Sequence, residues 1–351
     1  MLAGLLRSLS DDVAIDLGTD NTRIAVAGRG VVVWEPSVVA VDLGTRRISA
    51  RGLAVGYLAK QIEGRTPSDI EVRHPVRDGV IADFQLCEAM LRSLLAKTQR
   101  SRLRLPPRAI VGLTGVATEV ERRAVFNSVA RAGARQVYGW SKAMAAALGV
   151  GLPVAEPTGA AICDIGGGTA EIAVISLGRI VAGRAVRVGG HVFDQALCDH
   201  LRRHRRLRVG LPSAEQLRIT HGTAQSDDDE ARAEVAGVDA ATGLPRTLAV
   251  SRAEIAEALA EPLRKLADAV REVVESLDIE LAADLTRHGL TLSGGAAQLA
   301  HLDRFLSDQL GIPIQLAVDP ADAVIRGLLT CAEHLDAWKS ALVSVHDERI
   351  A

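Results

Sequence analysis

The sequence predicts an α/β protein in two halves, and three observations predict it. The loop Asp16-Leu17-Gly18-Thr19-Asp20-Asn21-Thr22 lies between two short apolar runs, and a loop of the same kind, Asp164-Ile165-Gly166-Gly167-Gly168-Thr169, lies between two more. Along the chain, strand-length apolar runs alternate with stretches of helical periodicity. At 351 residues, 48% hydrophobic and 24% charged, the chain is long enough for two domains with cores of their own.

In order, residues 1–9 place Leu2, Leu5, Leu6 and Leu9 on one helical face. So short a segment is marginally helical in water, and two readings stay open. It is either a frayed or docked terminus, or a face that folds by burying its leucines in a membrane surface. It is too short for a secretory signal, and no run approaches the ~20 apolar residues of a membrane span. Residues 13–15 and 23–27 flank the first loop as strands, and residues 36–77 form an excursion with its own turn, Gly64-Arg65-Thr66-Pro67. A helix follows over 83–97. The basic stretch 100–107, carrying Leu103 and Leu105, reads as a solvated turn before a strand at 109–113, and helices are expected over 119–134 and 142–149.

The second half opens with strands at 160–163 and 172–175 around the second loop. A helix over 191–208 carries Arg202, Arg203, Arg205, Arg206 and Arg208, read as a solvated face. Its Cys198, His200 and His204 lack a fourth ligand or a carboxylate pattern, so the histidines read as surface residues rather than metal ligands. An acidic loop, 227–230, precedes a hairpin over 234–250 turned at Thr242-Gly243-Leu244-Pro245, and a long helix runs from 252 to about 277. A third small-residue loop, Ser293-Gly294-Gly295, follows the strand-like Leu290-Thr291-Leu292. The last helix, from 319 to about 342, is amphipathic and is expected to pack on the first half.

Composition narrows the function. Aromatic residues are 3% of the chain and the formal net charge is −2, so neither base stacking nor electrostatics points to nucleic acid. The four cysteines, at 87, 163, 198 and 331, form no Cys-x-x-Cys pair and read as reduced, mostly buried thiols of a cytoplasmic protein. One Asp-Gly-Thr loop alone is an ordinary hairpin turn. Two with the same strand–loop–strand grammar read as a pair of phosphate grips, in which glycine admits a phosphate oxygen to backbone N–H groups and Thr and Asn add donors. A carboxylate beside polyphosphate makes sense mainly with Mg²⁺ between them, which makes Asp16 and Asp164 the candidate metal-facing residues. The rival P-loop and dinucleotide fingerprints are missing.

The three loops, in the order Asp-x-Gly-Thr, Asp-x-Gly-Gly-Gly-Thr, Ser-Gly-Gly, resemble the phosphate 1, phosphate 2 and adenosine motifs of the actin, Hsp70 and sugar-kinase superfamily. Ile15-Asp16-Leu17-Gly18-Thr19-Asp20-Asn21-Thr22 with Glu35-Pro36-Ser37-Val38-Val39-Ala40 is similar to the N-terminal signature of the MreB/Mbl bacterial actins. So are Gly64-Arg65-Thr66-Pro67, Arg77-Asp78-Gly79-Val80-Ile81-Ala82-Asp83, Glu119-Val120-Glu121-Arg122-Arg123-Ala124 and Thr242-Gly243-Leu244-Pro245, and the resemblance covers residues 12 to about 340. It implies the actin-like fold: two RNase H-like halves, each with a small subdomain, and a nucleotide cleft between them. After an amphipathic segment 1–11, subdomain IA would comprise 12–35, 78–148 and 325–351, IB 36–77, IIA 149–190 and 250–324, and IIB 191–249. It implies ATP and Mg²⁺ as cofactors. Asp16 and Asp164 would face the metal, while Gly18, Thr19, Asp20, Asn21, Gly166, Gly167, Gly168 and Thr169 would wrap the phosphates. Glu215 and Arg218 would hold the nucleoside, with Arg218 in place of the family's Lys, and Gly294 and Gly295 would lie against adenine or ribose.

Departures from the family pattern bear on catalysis. Family members carry Glu-Glu-Pro before Met-Ala-Ala-Ala, where a carboxylate positions the attacking water; this chain has Ser141-Lys142-Ala143. Losing the group that orients water should slow hydrolysis and leave phosphate binding intact, with Lys142 adding attraction for the γ-phosphate. Ala170, Ala296 and His191 depart from the usual Thr, Gly and Asp. Glu171 is the carboxylate left to polarise water. The resemblance thus implies a filament-forming, ATP-binding cytoskeletal subunit. It would be cytoplasmic and attached to the inner face of the membrane, partnered by its own copies and the cell-wall elongation machinery, with ATPase activity weak at most. The alternatives are a nucleotide-locked scaffold and, less favoured, a kinase or chaperone ATPase, for which neither a substrate Asp nor a peptide-binding domain is evident.

Overall fold

The computed structural model describes residues 12–43, 54–98, 105–226 and 232–344. The leucine face of residues 1–9, the arginines of 100–104 with Leu103, and the acidic run 227–230 lie outside the described residues. The chain divides into two compact units, residues 1–153 with 322–351 and residues 154–321.

In the first unit β1 (Val13–Leu17), β2 (Asn21–Val26) and β3 (Gly30–Pro36) form an antiparallel meander. Strand β1 is buried along its whole length, as its near-continuous apolar run requires. Strands β4 (Val39–Asp42) and β5 (Ile70–Arg73) pair as a ribbon around the short helix α1 (Tyr57–Lys60). Strands β6 (Val76–Arg77) and β7 (Val80–Ile81) are turned by Asp78 and Gly79, both at positive φ as a two-residue hairpin turn demands. Helix α2 (Phe84–Ala96) starts at Asp83, whose carboxylate accepts from Leu86 N at 3.0 Å, and buries Leu86, Met90, Leu91 and Leu94. Then come β8 (Arg108–Leu113), α3 (Glu119–Arg131) with a Thr118/Glu121 capping box, β9 (Gln136–Ser141) and α4 (Lys142–Gly149).

The second unit repeats the opening with β10 (Ala160–Ile165), β11 (Ala170–Ser176) and β12 (Arg179–Val186). After α5 (Gly190–Arg205) come β13 (Leu207–Arg208), α6 (Leu211–His221), β14 (Arg232–Asp239) and β15 (Pro245–Ser251), the strands joined in a small sheet of order β13-β14-β15. Helices α7 (Arg252–Glu275) and α8 (Ile279–His288) lead to β16 (Leu290–Ser293), α9 (Leu302–Leu310) and β17 (Ile314–Leu316). The chain re-enters the first unit with α10 (Ala323–Glu333), α11 (Leu335–Trp338) and β18 (Val343–Ser344).

The main sheets carry one topology twice. The order β3-β2-β1-β8-β9 in the first unit matches β12-β11-β10-β16-β17 in the second, each with two antiparallel pairings followed by two parallel ones. Strand β18 extends the first sheet at β9. Because β1 and β10 are central and enter their loops at the same point of the repeat, the two Asp-x-Gly loops occupy equivalent positions in their units.

Two expected elements differ. The helix expected over 191–208 stops at Arg205, where Arg206 turns left-handed (φ 52°) and Leu207–Arg208 join β14 as a strand. The last helix ends at Glu333, restarts at Leu335 and gives way to β18. His334 leaves helical geometry (φ −118°, ψ 40°), which lets Leu335 bury, Trp338 lie 5.3 Å from Trp140 and β18 pair with β9. Burying these groups and completing the sheet edge override the local helical periodicity. Helix α10 does pack on the first unit, against α4, so closely that a Cβ on Gly149 would lie 1.9 Å from the Ala323 carbonyl oxygen and one on Gly327 would lie 1.8 Å from that of Ala145.

Candidate functional site

Both phosphate-type loops close in the same way. In the first, Gly18 N donates to Asn21 O at 3.1 Å; in the second, Gly166 N donates to Thr169 O at 2.8 Å. A Cβ on Gly18 would meet the Asn21 carbonyl oxygen at 2.4 Å, so this turn needs its glycine. The hairpin registers place Asp16 opposite Arg23 and Asp164 opposite Glu171. Equivalent positions therefore carry opposite charges, a cation beside the first Asp and a second carboxylate beside the other.

Groups distant in sequence brace the first loop. Ser37, fully buried, donates from its hydroxyl to Gly18 O at 2.7 Å, shares a hydrogen bond with the Thr22 hydroxyl at 2.8 Å, and donates its backbone N–H to Asp20 O at 2.8 Å. The Thr19 hydroxyl accepts from Gly79 N at 3.0 Å, which ties the loop to the β6–β7 turn. Sequence reasoning used Glu35-Pro36-Ser37 and Arg77-Asp78-Gly79 only as signatures and missed these contacts; nothing local marks them.

Lys142 heads α4, and its ammonium lies 2.8 Å from Asp16 Oδ1 while donating to Leu17 O at 3.0 Å. Arg23 approaches the other Asp16 oxygen at 3.8 Å, pairs through Nε with Asp322 at 3.1 Å and lies over the Trp34 ring. Asp16 is thus a nearly buried carboxylate flanked by two cations. Ser141 has a structural task, since its hydroxyl accepts from Met144 N at 3.4 Å and caps α4.

In the second unit Asp164 is buried and accepts from Ser293 Oγ at 2.8 Å, joining the Ser-Gly-Gly loop to the phosphate-type loop across the parallel β10–β16 pair. The two glycines of that third loop differ. Gly294 is at φ 90° with Ile165 O 2.3 Å from its would-be Cβ, so backbone packing explains it. Gly295 is exposed and opens on empty space, as a seat for a flat ring requires. The second loop is held from below by α5, whose Gly190 N and His191 N donate to Gly166 O and Gly167 O at 3.0 and 2.8 Å. Glu171 is buried on β11.

Glu215 and Arg218 lie on α6, half-buried. Arg218 makes a two-pronged pair with Asp194 of α5, at 2.7 and 3.3 Å, and its guanidinium lies against Gly190, next to the second loop. Burial raises the Asp194 pKa above the carboxylate norm, and the Arg218 guanidinium opposes that shift. Elsewhere on α5, His200 is buried rather than on the surface. It stacks on His204 and faces Glu254 at 3.6 Å, and its pKa is lowered chiefly by burial.

Comparison with known proteins gives concordant results. The model of the MreB/Mbl protein family matches residues 10–340. The chain is 43% identical to the cell shape-determining protein MreB of Escherichia coli (strain K12), over 98% of this chain and 99% of that one. It is 37% identical to the cell shape-determining protein Mbl of Bacillus subtilis (strain 168), over 93% and 96%. Among solved structures it resembles MreB5 of Spiroplasma citri bound to AMPPNP, with TM-score 0.88 and 31% identity over 94% of this chain and 98% of that one. The same protein bound to ADP matches equally. A MamK double helical filament structure, at 19% identity and TM-score 0.78, covering 92% and 99%, shares the fold.

Proposed function

Since the chain belongs to the MreB/Mbl protein family, we propose that it is an ATP-binding, filament-forming subunit of the cytoskeleton that sets cell shape, with slow or lost hydrolysis. The observation that carries this reading is the repeated phosphate-type loop, closed alike in both units and braced by buried partners. The Spiroplasma citri relative is solved with AMPPNP and with ADP, which supports nucleotide as the ligand. In this reading Gly18–Asn21 and Gly166–Thr169 offer backbone and hydroxyl donors to phosphate, and Gly295 offers open backbone to the base. Arg218, pinned on Asp194, acts through the α5 N-terminus that holds the second loop.

Mg²⁺, when bound with ATP, shields phosphate charge. Asp164, held by a neutral hydroxyl and facing Glu171 across the hairpin, fits a divalent cation; Asp16, already paired with Lys142 and approached by Arg23, does not. Hydrolysis is slow in this reading because Ser141 is spent on the helix cap and Lys142 on Asp16, leaving no acid there to orient water. Glu171 is the carboxylate that would polarise water. The same pair of residues favours a second reading, a scaffold that holds ATP without cycling.

Membrane attachment through the leucine face of residues 1–9, on the cytoplasmic side and beside the cell-wall elongation machinery, completes the proposal. Electron microscopy with ATP and anionic liposomes tests it: lipid-bound filaments are expected, and deletion of residues 1–9 should release them. A monodisperse monomer at high concentration with ATP and lipid would refute the filament reading. Phosphate release as fast as that of a relative with the intact Glu-Glu-Pro would refute slow hydrolysis, and Glu171→Gln should abolish whatever turnover remains.

A further inference from the structure

We infer that the Lys142 ammonium, seated on Asp16, is the built-in cation of the first phosphate loop, so that ATP binding by this chain depends only weakly on Mg²⁺. The inference rests on the nucleotide-binding reading above and goes further by naming the cation that stands at the first loop. Three observations meet at Lys142. Its ammonium is 2.8 Å from Asp16 Oδ1 and bonds to the backbone of the loop itself at Leu17 O. Its stem lies across Gly112 of β8, where a Cβ would come within 3.0 Å of Lys142 Cγ and 3.3 Å of Cε, so the strand leaves room for this side chain. Both Lys142 and Asp16 side chains are largely buried, at 12% and 9% exposure, where charge is poorly screened.

Counting formal charge, Asp16 and Asp322 with Lys142 and Arg23 sum to zero, since Arg23 pairs more closely with Asp322 than with Asp16, whereas without Lys142 the cluster would be negative. A small divalent ion needs carboxylate oxygen and is repelled by neighbouring cations, so the pair disfavours Mg²⁺ at Asp16. A lysine ammonium is itself an effective point-charge partner for phosphate. Lys142 therefore supplies at the first loop, as a fixed monovalent charge, part of what the metal supplies in a site with a free carboxylate. In the second unit the carboxylates of Asp164 and Glu171 keep the chemistry a divalent cation needs.

Titration of the full-length protein with ATP by calorimetry, in Mg²⁺ and in excess EDTA, tests the inference. For the native chain the affinity should change by less than about fivefold on chelation, and Lys142→Arg, which keeps the charge, should behave alike. Lys142→Met, which frees Asp16 and removes the cation, should bind ATP with a Mg²⁺ dependence larger than about fivefold. Circular dichroism identifies any variant that is not folded, in which case the native and Lys142→Arg titrations decide alone. A native chain that loses more than about fivefold in EDTA, or a folded Lys142→Met with the native dependence, overturns the inference while leaving nucleotide binding in place. No ATP binding by the native chain in either condition overturns the nucleotide reading itself.

Discussion

Ser37 shows how much one hydroxyl can organise. It is fully buried, donates to Gly18 O, shares a hydrogen bond with Thr22, and its backbone N–H holds Asp20 O, so a single residue fixes three points of the first loop. Ser37→Ala removes the hydroxyl and leaves the half-buried Gly18 carbonyl and the buried Thr22 hydroxyl each short of a partner, which should cost about 1–3 kcal/mol of stability and weaken ATP binding. Urea unfolding with a parallel ATP titration checks both, and an unchanged midpoint would contradict the bracing role. Asp16 and Asp164 were equivalent as motif residues but are not equivalent as charges. The difference lies in Lys142, Arg23 and Glu171, which stand outside the motif pattern.

Elements carry two further expectations. Helices α4 and α10 approach so closely at Gly149 and Gly327 that no side chain fits, since a Cβ at either would overlap a carbonyl oxygen of the opposite helix. Gly327→Ala should force them apart and destabilise by about 1–3 kcal/mol, read as a lowered urea midpoint; it should also disturb Lys142 at the head of α4. A stability equal to the native chain would mean that the helices pack more loosely. Next to α1, Glu63 accepts from the ring of His74 at 2.7 Å and pairs with Lys60 at 2.9 Å, and these partners, His74 first, lower its pKa from 4.5 to about 2. A carboxylate depressed on folding stabilises fully above its unfolded pKa, and that contribution fades as pH falls from about 4.5 toward about 2. Unfolding midpoints measured between about pH 5 and pH 3 should therefore drop in the native chain and drop less in Glu63→Gln. Parallel curves for the two proteins would exclude Glu63 as a source of the acid sensitivity.

At the scale of the whole molecule, one sheet topology used twice explains why two loops with the same grammar exist. Each forms where a central strand leaves its sheet. The thiols report on both cores at once. Cys87 and Cys331 have pKa values pushed to about 12 by burial, Cys163 is shifted further in the same direction, and Cys198 is only partly buried. Alkylation of the native protein by iodoacetamide should mark Cys198 alone, and all four cysteines in urea. Modification of Cys87 or Cys163 as fast as Cys198 would show that the cores open far more readily than their packing implies. The strands around the two loops and the longer helices were legible from periodicity and turn residues, because hairpins such as β1–β2 and caps such as Asp83 are local, whereas α6, α8, α9, β12 and β17 were not read. The last helix was not, because Leu335, Trp338 and β18 answer to β9 and Trp140 rather than to their neighbours in sequence.

The sequence by itself determined the two phosphate-type loops, the strands that carry them and the absence of a carboxylate at Ser141-Lys142, since each is a property of adjacent residues. Only the tertiary structure decided which charges meet. It put Lys142 on Asp16, Ser37 under Gly18 and Asp194 against Arg218. Ion pairs and buried hydrogen bonds between segments far apart in the chain are set by sheet register and helix packing, and burial then makes each pairing costly to leave unmade. The loops proposed to grip phosphate are set by adjacent residues; the fold assigns the cation beside the first of them.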